Sequence, residues 1–334
     1  MVWTFANGRQ RLDRHWHFET CLGEMPLEPH VKRFLDLLAA GNPPDARSIS
    51  VEERRRGLAE LMKLAGPEVA VGRVEDRTLP GPGGALPVRI YSPLGAAEIL
   101  PGLVYFHGGG LVAGSIATHD SIARALTNSG AVRVVSVGYR LAPEHRFPAA
   151  LQDALAAVQY VGAHAADFGI DAARLGVCGD SAGGTLAAAA CQAQARTAGP
   201  RLALQLLICP ILDYSRATPS KLALTTGYLI DQATLDHDLM HYLPAGTDPS
   251  DPLVSPLLAD EVTGLTRTII HTAEFDPLCD EGRHYYERLK RANIEVSYTC
   301  HPGMIHLFYG LGAVIPYARK AFEQIGAEIR AALA

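Results

Sequence analysis

The stretch LGVCGDSAGGTLAAAACQA, residues 175–193, decides how the rest of the chain is read. A short apolar run ends at Cys178, a glycine-rich corner follows at 179–184, and an alanine-rich segment starts at Thr185. The pattern predicts a strand, a sharp turn and a buried helix. Gly-x-Ser-x-Gly in that setting is the nucleophile-elbow pattern, in which a serine sits on a strained turn with its hydroxyl above the sheet. Gly179 and Gly183 fit because the strand and helix backbones nearly touch around Ser181, leaving no room for a Cβ. The start of the helix would offer the Ala182 N–H and a positive dipole end to a developing oxyanion. The five-residue pattern also arises by chance in glycine-rich chains, so other residues have to support the chemistry.

The 334 residues, 48% of them hydrophobic, can bury a large core, and one α/β catalytic unit with a covering element is expected. A net charge of −5 gives no basic field for nucleic acid. The six cysteines, at 21, 178, 191, 209, 279 and 300, show neither Cys-x-x-Cys pairing nor zinc-type spacing, so free buried thiols are expected. The N-terminal segment lacks the apolar core of a signal peptide, and no apolar run is long enough for stable membrane insertion. A cytoplasmic location is the expectation. His15-x-His17 would bind metal only with other ligands.

Outward from the elbow, strands and helices alternate. Two amphipathic helices are predicted between Pro29 and Leu64, the second opened by a Ser50-x-x-Glu53 capping box. Val71 to Leu79 and Ala85 to Tyr91 read as a hairpin with a longer turn at Pro80-Gly81-Pro82-Gly83-Gly84. The apolar strand Gly102 to Phe106 runs into His107-Gly108-Gly109-Gly110, whose glycines let backbone N–H groups close on a ligand, as an oxyanion requires. A flexible glycine turn is the rival reading; a phosphate loop would want a Gly-Lys-Ser/Thr ending, and no Lys follows. Helices follow at His119 to Ser129 and Ala149 to Phe168, with strands at Val132 to Val137 and Leu204 to Cys209. Prolines interrupt the rhythm over 211–255 around one helical segment near Asp231 to Tyr242. The alternation resumes with strand Arg267 to Thr272, helix Asp280 to Arg291, strand Glu295 to Cys300, a loop His301 to Leu307 and a final helix Phe308 to Leu333. This order predicts a parallel sheet with helices on both faces and an insertion above the strand ends, placed to act as a lid.

A serine hydroxyl needs a base to take its proton and a carboxylate to hold that base. Asp276 follows one strand and His306 follows the next, so both can converge above Ser181 in the order acid, then histidine. Asp280 suits the start of its helix and Glu274 suits support of the loop, while His301 remains a second candidate base.

The set His107-Gly108-Gly109-Gly110, Tyr139-Arg140-Leu141-Ala142-Pro143-Glu144, Gly179-Asp180-Ser181-Ala182-Gly183-Gly184, Asp276-Pro277-Leu278 with Asp280, and His306 resembles the bacterial hormone-sensitive-lipase-like carboxylesterases, sometimes called family IV, in their GDSAG subgroup. The resemblance spans about residues 26 to 334 in unbroken motif order. It implies an α/β-hydrolase fold with a helical cap, Ser181, Asp276 and His306 as triad, and the N–H groups of Gly108, Gly109 and Ala182 as oxyanion hole. It also implies a cap from residues 26–70 and about 211–250, so that 1–70 hold the N-terminal segment and first cap part. The catalytic domain would then comprise 71–210 and 251–334. The implied activity is hydrolysis of short- to medium-chain esters through a serine acyl-enzyme, with no cofactor or metal, a small-molecule ester as partner and a homodimer left open. The family usually has Gly between the catalytic histidine and the following Phe; Leu307 stands here and is expected to shorten the acyl space near the base. The rivals are an amidase or peptidase and a ligand-binding receptor on the same scaffold. Plant gibberellin receptors resemble the family without its catalytic histidine, and His306 argues against that reading.

Overall fold

The computed structural model describes residues 26–334 except positions 43 and 198, so the His15-x-His17 pair and Cys21 lie outside the described residues. Helices α1 (Pro29–Ala40) and α2 (Val51–Met62) come first. The expected capping box forms on α2: Ser50 N donates to Glu53 Oε2 at 2.7 Å, and Glu53 N donates to Ser50 Oγ at 3.2 Å.

Among the described residues, eight strands then build one sheet: β1 (Arg73–Gly81), β2 (Gly84–Ser92), β3 (Leu100–Phe106), β4 (Arg133–Val137), β5 (Ile170–Asp180), β6 (Leu204–Ile208), β7 (Thr268–Phe275) and β8 (Val296–Ile305). Their order is β1-β2-β4-β3-β5-β6-β7-β8. The pairs β1–β2 and β2–β4 are antiparallel and all later pairs parallel. The intervening helices are α3 (Asp120–Gly130), α4 (Ala149–Ala163), α5 (Ala182–Ala195), α6 (Pro219–Ala223), α7 (Gln232–Tyr242), α8 (Cys279–Arg291) and α9 (Tyr317–Ala332).

Residues along each strand send side chains alternately to the two faces. In β3, Val104 and Phe106 enter the core shared with α4, α5 and α8, whereas Leu103 and Tyr105 enter the core shared with α3 and α9. Helices on both faces explain why the central strands are apolar throughout. This is the α/β-hydrolase architecture that the motifs imply.

Four local expectations change. The hairpin turn is short, because β1 and β2 pair as far as Gly81 with Gly84, and Gly84 takes a φ of +115° that a side chain would resist. α4 ends at Ala163, and Ala165–Phe168 form a separate 3₁₀ turn. β8 runs on to Ile305, so His301 is a strand residue; after a register shift Phe275 pairs with Ile305, and Gly303 turns the chain at φ +70°. The final helix starts only at Tyr317, behind a 3₁₀ turn at Phe308–Gly310 and Pro316, which has no N–H to donate to a preceding turn. Among the described residues no helix is long and apolar enough to cross a membrane.

Candidate active site

The elbow has the predicted geometry. β5 ends at Asp180, α5 begins at Ala182, and Ser181 between them adopts φ 52° and ψ −122°, an energetically costly conformation for a non-glycine residue. The surrounding glycines leave no choice of backbone. A Cβ on Gly179 would lie 2.1 Å from Gly183 O, and one on Gly183 would lie 2.0 Å from Phe106 O. Small side chains along α5 let it sit directly on the sheet, where Ala182 through Gln192 are all buried.

The sheet brings the three predicted residues together. Asp276 follows β7 and is fully buried, His306 follows β8, and Ser181 is 7% exposed. The Ser181 hydroxyl is 3.0 Å from His306 Nε2, and His306 Nδ1 is 2.8 Å from Asp276 Oδ2. With the Nδ1–H donating to the carboxylate, Nε2 is left as the acceptor of the serine proton. Leu278 N donates to Asp276 Oδ1 at 2.9 Å, which fixes the other side of the carboxylate.

The competing residues are engaged elsewhere. His301 is fully buried, with Nε2 3.0 Å from His271 Nδ1 and Nδ1 3.2 Å from the Tyr317 hydroxyl; burial pushes its pKa down to about 3. Asp280 accepts from Ser220 N at 2.7 Å, and Glu274 accepts from Gly303 N at 2.7 Å, the supporting role expected of it.

The glycine loop divides its work differently from the implied assignment. Gly108 N donates to Asp180 Oδ1 at 3.1 Å, so this N–H is turned toward a buried carboxylate and is not free for an oxyanion. The N–H groups of Gly109, Gly110 and Ala182 have no protein acceptor among the described residues. Gly109 and Gly110 have φ +114° and +68°, and Ala113 N closes the turn by donating to Gly109 O at 2.8 Å. Gly108 is therefore an anchor, and Gly110 takes its place among the available donors.

Two residues gain roles that motif reading had not given them. Asp180 accepts from Tyr105 OH at 2.5 Å, from Gly108 N, and from Tyr309 OH at 3.3 Å, joining β3, the glycine loop and the segment after His306. Burial raises its pKa, and the Tyr105 hydrogen bond opposes that rise. Cys209, at φ 44°, puts its thiol beside the triad, where ligand atoms of Cys209, Asp276 and His306 lie within 4.8 Å of one another. Burial first, and then the Asp276 carboxylate, push this thiol far up. His306 Nδ1 already faces Asp276, so the trio fits a hydrogen-bonded Asp–His pair backed by a buried thiol. Only the nearness of β6 to β7 could have signalled Cys209 in advance. Among the described cysteines, Cys178, Cys191 and Cys209 are free and buried, as expected, and Cys300 is a half-buried free thiol.

Leu307, the residue expected to shorten the acyl space near the base, belongs to the core. Its side chain is 6% exposed and packs with Met62, Phe308 and Leu311 in the core on the α3 and α9 face. It lines neither the 330 Å³ cavity beside α7 nor the 710 Å³ cavity on the β1–β2 side of His107.

The profile of the alpha/beta hydrolase fold family matches residues 103–310. The chain is 40% identical to the carboxylic ester hydrolase LipN of Mycobacterium tuberculosis over 262 residues, 77% of this chain and 69% of that protein. It is 37% identical to an ethyl acetate hydrolase of Pseudomonas putida, over 90% of this chain and 98% of the relative. An ester hydrolase from the Lake Arreo metagenome, solved with a bipyridine phosphonate derivative, superposes with a TM-score of 0.89 at 40% identity, covering 91% of this chain and 98% of that one. The chain belongs to the α/β-hydrolase fold family, in the hormone-sensitive-lipase-like branch that its motifs resemble.

Proposed function

We infer that this protein is a carboxylic ester hydrolase working through an acyl-enzyme on Ser181. The observation that supports it most is the continuous hydrogen-bond chain from Asp276 through His306 to Ser181 at a strained elbow. Ser181 Oγ attacks the ester carbonyl carbon while its proton passes to His306 Nε2. The carbonyl oxygen becomes an oxyanion facing the N–H groups of Gly109, Gly110 and Ala182. Asp276 stabilises the imidazolium, which then returns the proton to the departing alcohol. Water, deprotonated by the same nitrogen, attacks the acyl-enzyme, and collapse of the second oxyanion releases the acid and restores Ser181.

Residues 26–70 and about 211–250 form the proposed cap. The 330 Å³ cavity between α6, α7 and the loop after β6 is the proposed acyl pocket, with an apolar wall of Ile211, Leu222, Leu235, Leu239 and Leu278. Its floor adjoins the chemistry: Ile211 N donates to Ser181 O at 3.1 Å, and Leu278 N donates to Asp276. A pocket of this size favours short to medium acyl chains, since each buried methylene contributes about 0.8 kcal/mol until the wall is reached. The free thiols support a cytoplasmic location.

The test is hydrolysis of p-nitrophenyl esters of increasing acyl length by the wild-type protein and by Ser181→Ala. The expected profile peaks at roughly four to eight carbons, and Ser181→Ala is expected to lose on the order of 10³-fold or more. Undiminished turnover by folded Ser181→Ala would remove the proposed nucleophile.

A further inference from the structure

The oxyanion loop is held from outside as well as from below. Arg54 on α2 makes a two-pronged ion pair with Asp238 on α7: Nη2 lies 2.8 Å from Oδ2 and Nε lies 3.1 Å from Oδ1. The two side chains are only 15% and 7% exposed. This pair joins the two proposed cap segments, 184 positions apart in sequence. It also bears directly on the glycine loop. A Cβ on Gly110 would fall 1.8 Å from Asp238 Oδ2 and 2.4 Å from its Cγ, so the carboxylate rests on the Gly110 Cα. A Cβ on Gly109 would come 3.0 Å from Leu58 Cδ2, also on α2. Next to Arg54, Arg55 Nε donates to Val112 O at 2.9 Å, so α2 grips the loop on both sides of its turn.

A buried carboxylate against an oxyanion-binding loop would oppose the developing negative charge, unless a cation cancels it. Arg54 supplies that cation; His237 Nδ1 lies 3.1 Å from Asp238 Oδ1, and the buried Tyr214 phenol also feels the Asp238 charge. We propose that Arg54 and Asp238 are positioning residues for the oxyanion hole, a charge-neutral pair that packs the cap onto Gly110 and keeps the loop's N–H groups aimed at the reacting carbonyl. The proposal rests on the ester-hydrolase reading above. Because the oxyanion exists only along the reaction path, the pair acts on kcat and leaves KM nearly untouched.

The experiment compares Arg54→Met, Arg54→Lys, Asp238→Asn and the double variant Arg54→Met/Asp238→Asn on p-nitrophenyl butyrate, with thermal melts to verify folding. Arg54→Met strands the carboxylate, so kcat is expected to fall about 30-fold with KM within about twofold. Arg54→Lys keeps the charge and should recover most of the loss. The double variant removes the stranded charge and should also recover, to within about fivefold of wild type. A purely packing role would instead give losses that add, with no recovery in the double variant, and would overturn the proposal. So would a change confined to KM. Inhibition by an alkyl trifluoromethyl ketone, whose hemiketal oxygen occupies the oxyanion hole, should weaken in Arg54→Met by the same factor as kcat/KM; unchanged affinity refutes the pair's role. If Arg54→Met does not fold, Arg54→Gln, which retains a donor, takes its place in every comparison. The exposed Lys63–Glu60 pair provides a control, and Lys63→Gln is expected to leave kcat unchanged. Wild-type protein is first titrated with a p-nitrophenyl phosphonate. One equivalent of p-nitrophenol released by labelling of Ser181 secures the nucleophile, whereas no release overturns the functional reading itself, apart from any behaviour of the pair.

Discussion

The two ends of the proposed triad are fixed by different physics. At the nucleophile end the backbone is forced from within: glycines at 179 and 183 admit no Cβ, and the strained Ser181 is the only path left between β5 and α5. At the base end the chain is held from without. His306 is placed by the β7–β8 pairing, by its own bond to Asp276, and by Tyr309, whose hydroxyl reaches Asp180 across the site. A local cause tolerates no substitution at its centre, while a distributed one loses accuracy by degrees.

The largest expected effect tests whether Asp276 alone orients the base. Asp276→Asn keeps the shape but presents an amide to His306 Nδ1, favouring the wrong tautomer; kcat/KM is expected to fall about 10³- to 10⁴-fold. Asp280→Asn keeps an acceptor for Ser220 N and is expected to stay within about tenfold of wild type. Steady-state kinetics on the two variants decide it, and a reversed order would move the acid to Asp280. Next comes the elbow itself. Gly183→Ala would drive a methyl into the backbone carbonyls of Phe106 and His107, which cannot swing aside as a side chain could, and should cost at least about 3 kcal/mol in urea unfolding. A fully stable Gly183→Ala would show that the elbow can relax, and the contrast between the two ends would collapse.

That contrast also accounts for what the sequence revealed. Glycines 179 and 183, the apolar runs of β3 to β7 and the Ser50–Glu53 box announce their structure through neighbours in sequence, and each was legible. The strand character of His301 was hidden because it depends on pairing with Ala273 in another strand. Gly108 looked equivalent to Gly109; only the approach of Asp180, 72 positions away, separates an anchoring N–H from a free one. The Arg54–Asp238 pair and the thiol of Cys209 are likewise products of tertiary folding, and no local pattern marks them.

Buried histidines give the third test. Burial holds His107 at about 3 and His119 at about 4 beneath the elbow, and His301 at about 3 beside β7, all below the usual value near 6.5. His284 is shifted the same way. These groups stay neutral in the fold and take up protons on unfolding. Their contribution is intact above about pH 6.5 and is lost as pH falls toward their folded values, by up to about 1.4 kcal/mol per pH unit each. Asp180 and Glu281, whose pKa values are raised by burial, act in the opposite sense and offset part of the loss. Urea unfolding between pH 7 and pH 5 should therefore show falling stability, with a shallower slope in both His119→Gln and His301→Phe. A flat profile would mean that the histidines are not buried neutral at either end.

The smallest effect concerns Leu307, where the base end looks most like the elbow because a non-glycine residue again holds a positive φ. Glycine would relieve that strain, worth about 1 kcal/mol, but it would also remove a leucine packed with Met62 and Phe308. The packing loss exceeds the strain relieved, so Leu307→Gly is expected to be less stable by about 2 kcal/mol. Because the side chain belongs to the α3 and α9 core and lines no wall of the 330 Å³ cavity proposed as the acyl pocket, the chain-length profile on p-nitrophenyl esters should keep its maximum. Leu239→Ala, which removes wall from the 330 Å³ cavity, should move the maximum toward longer chains. If the maximum moves in Leu307→Gly and stays put in Leu239→Ala, the acyl group lies against the base end, and the cavity beside α7 is not its pocket.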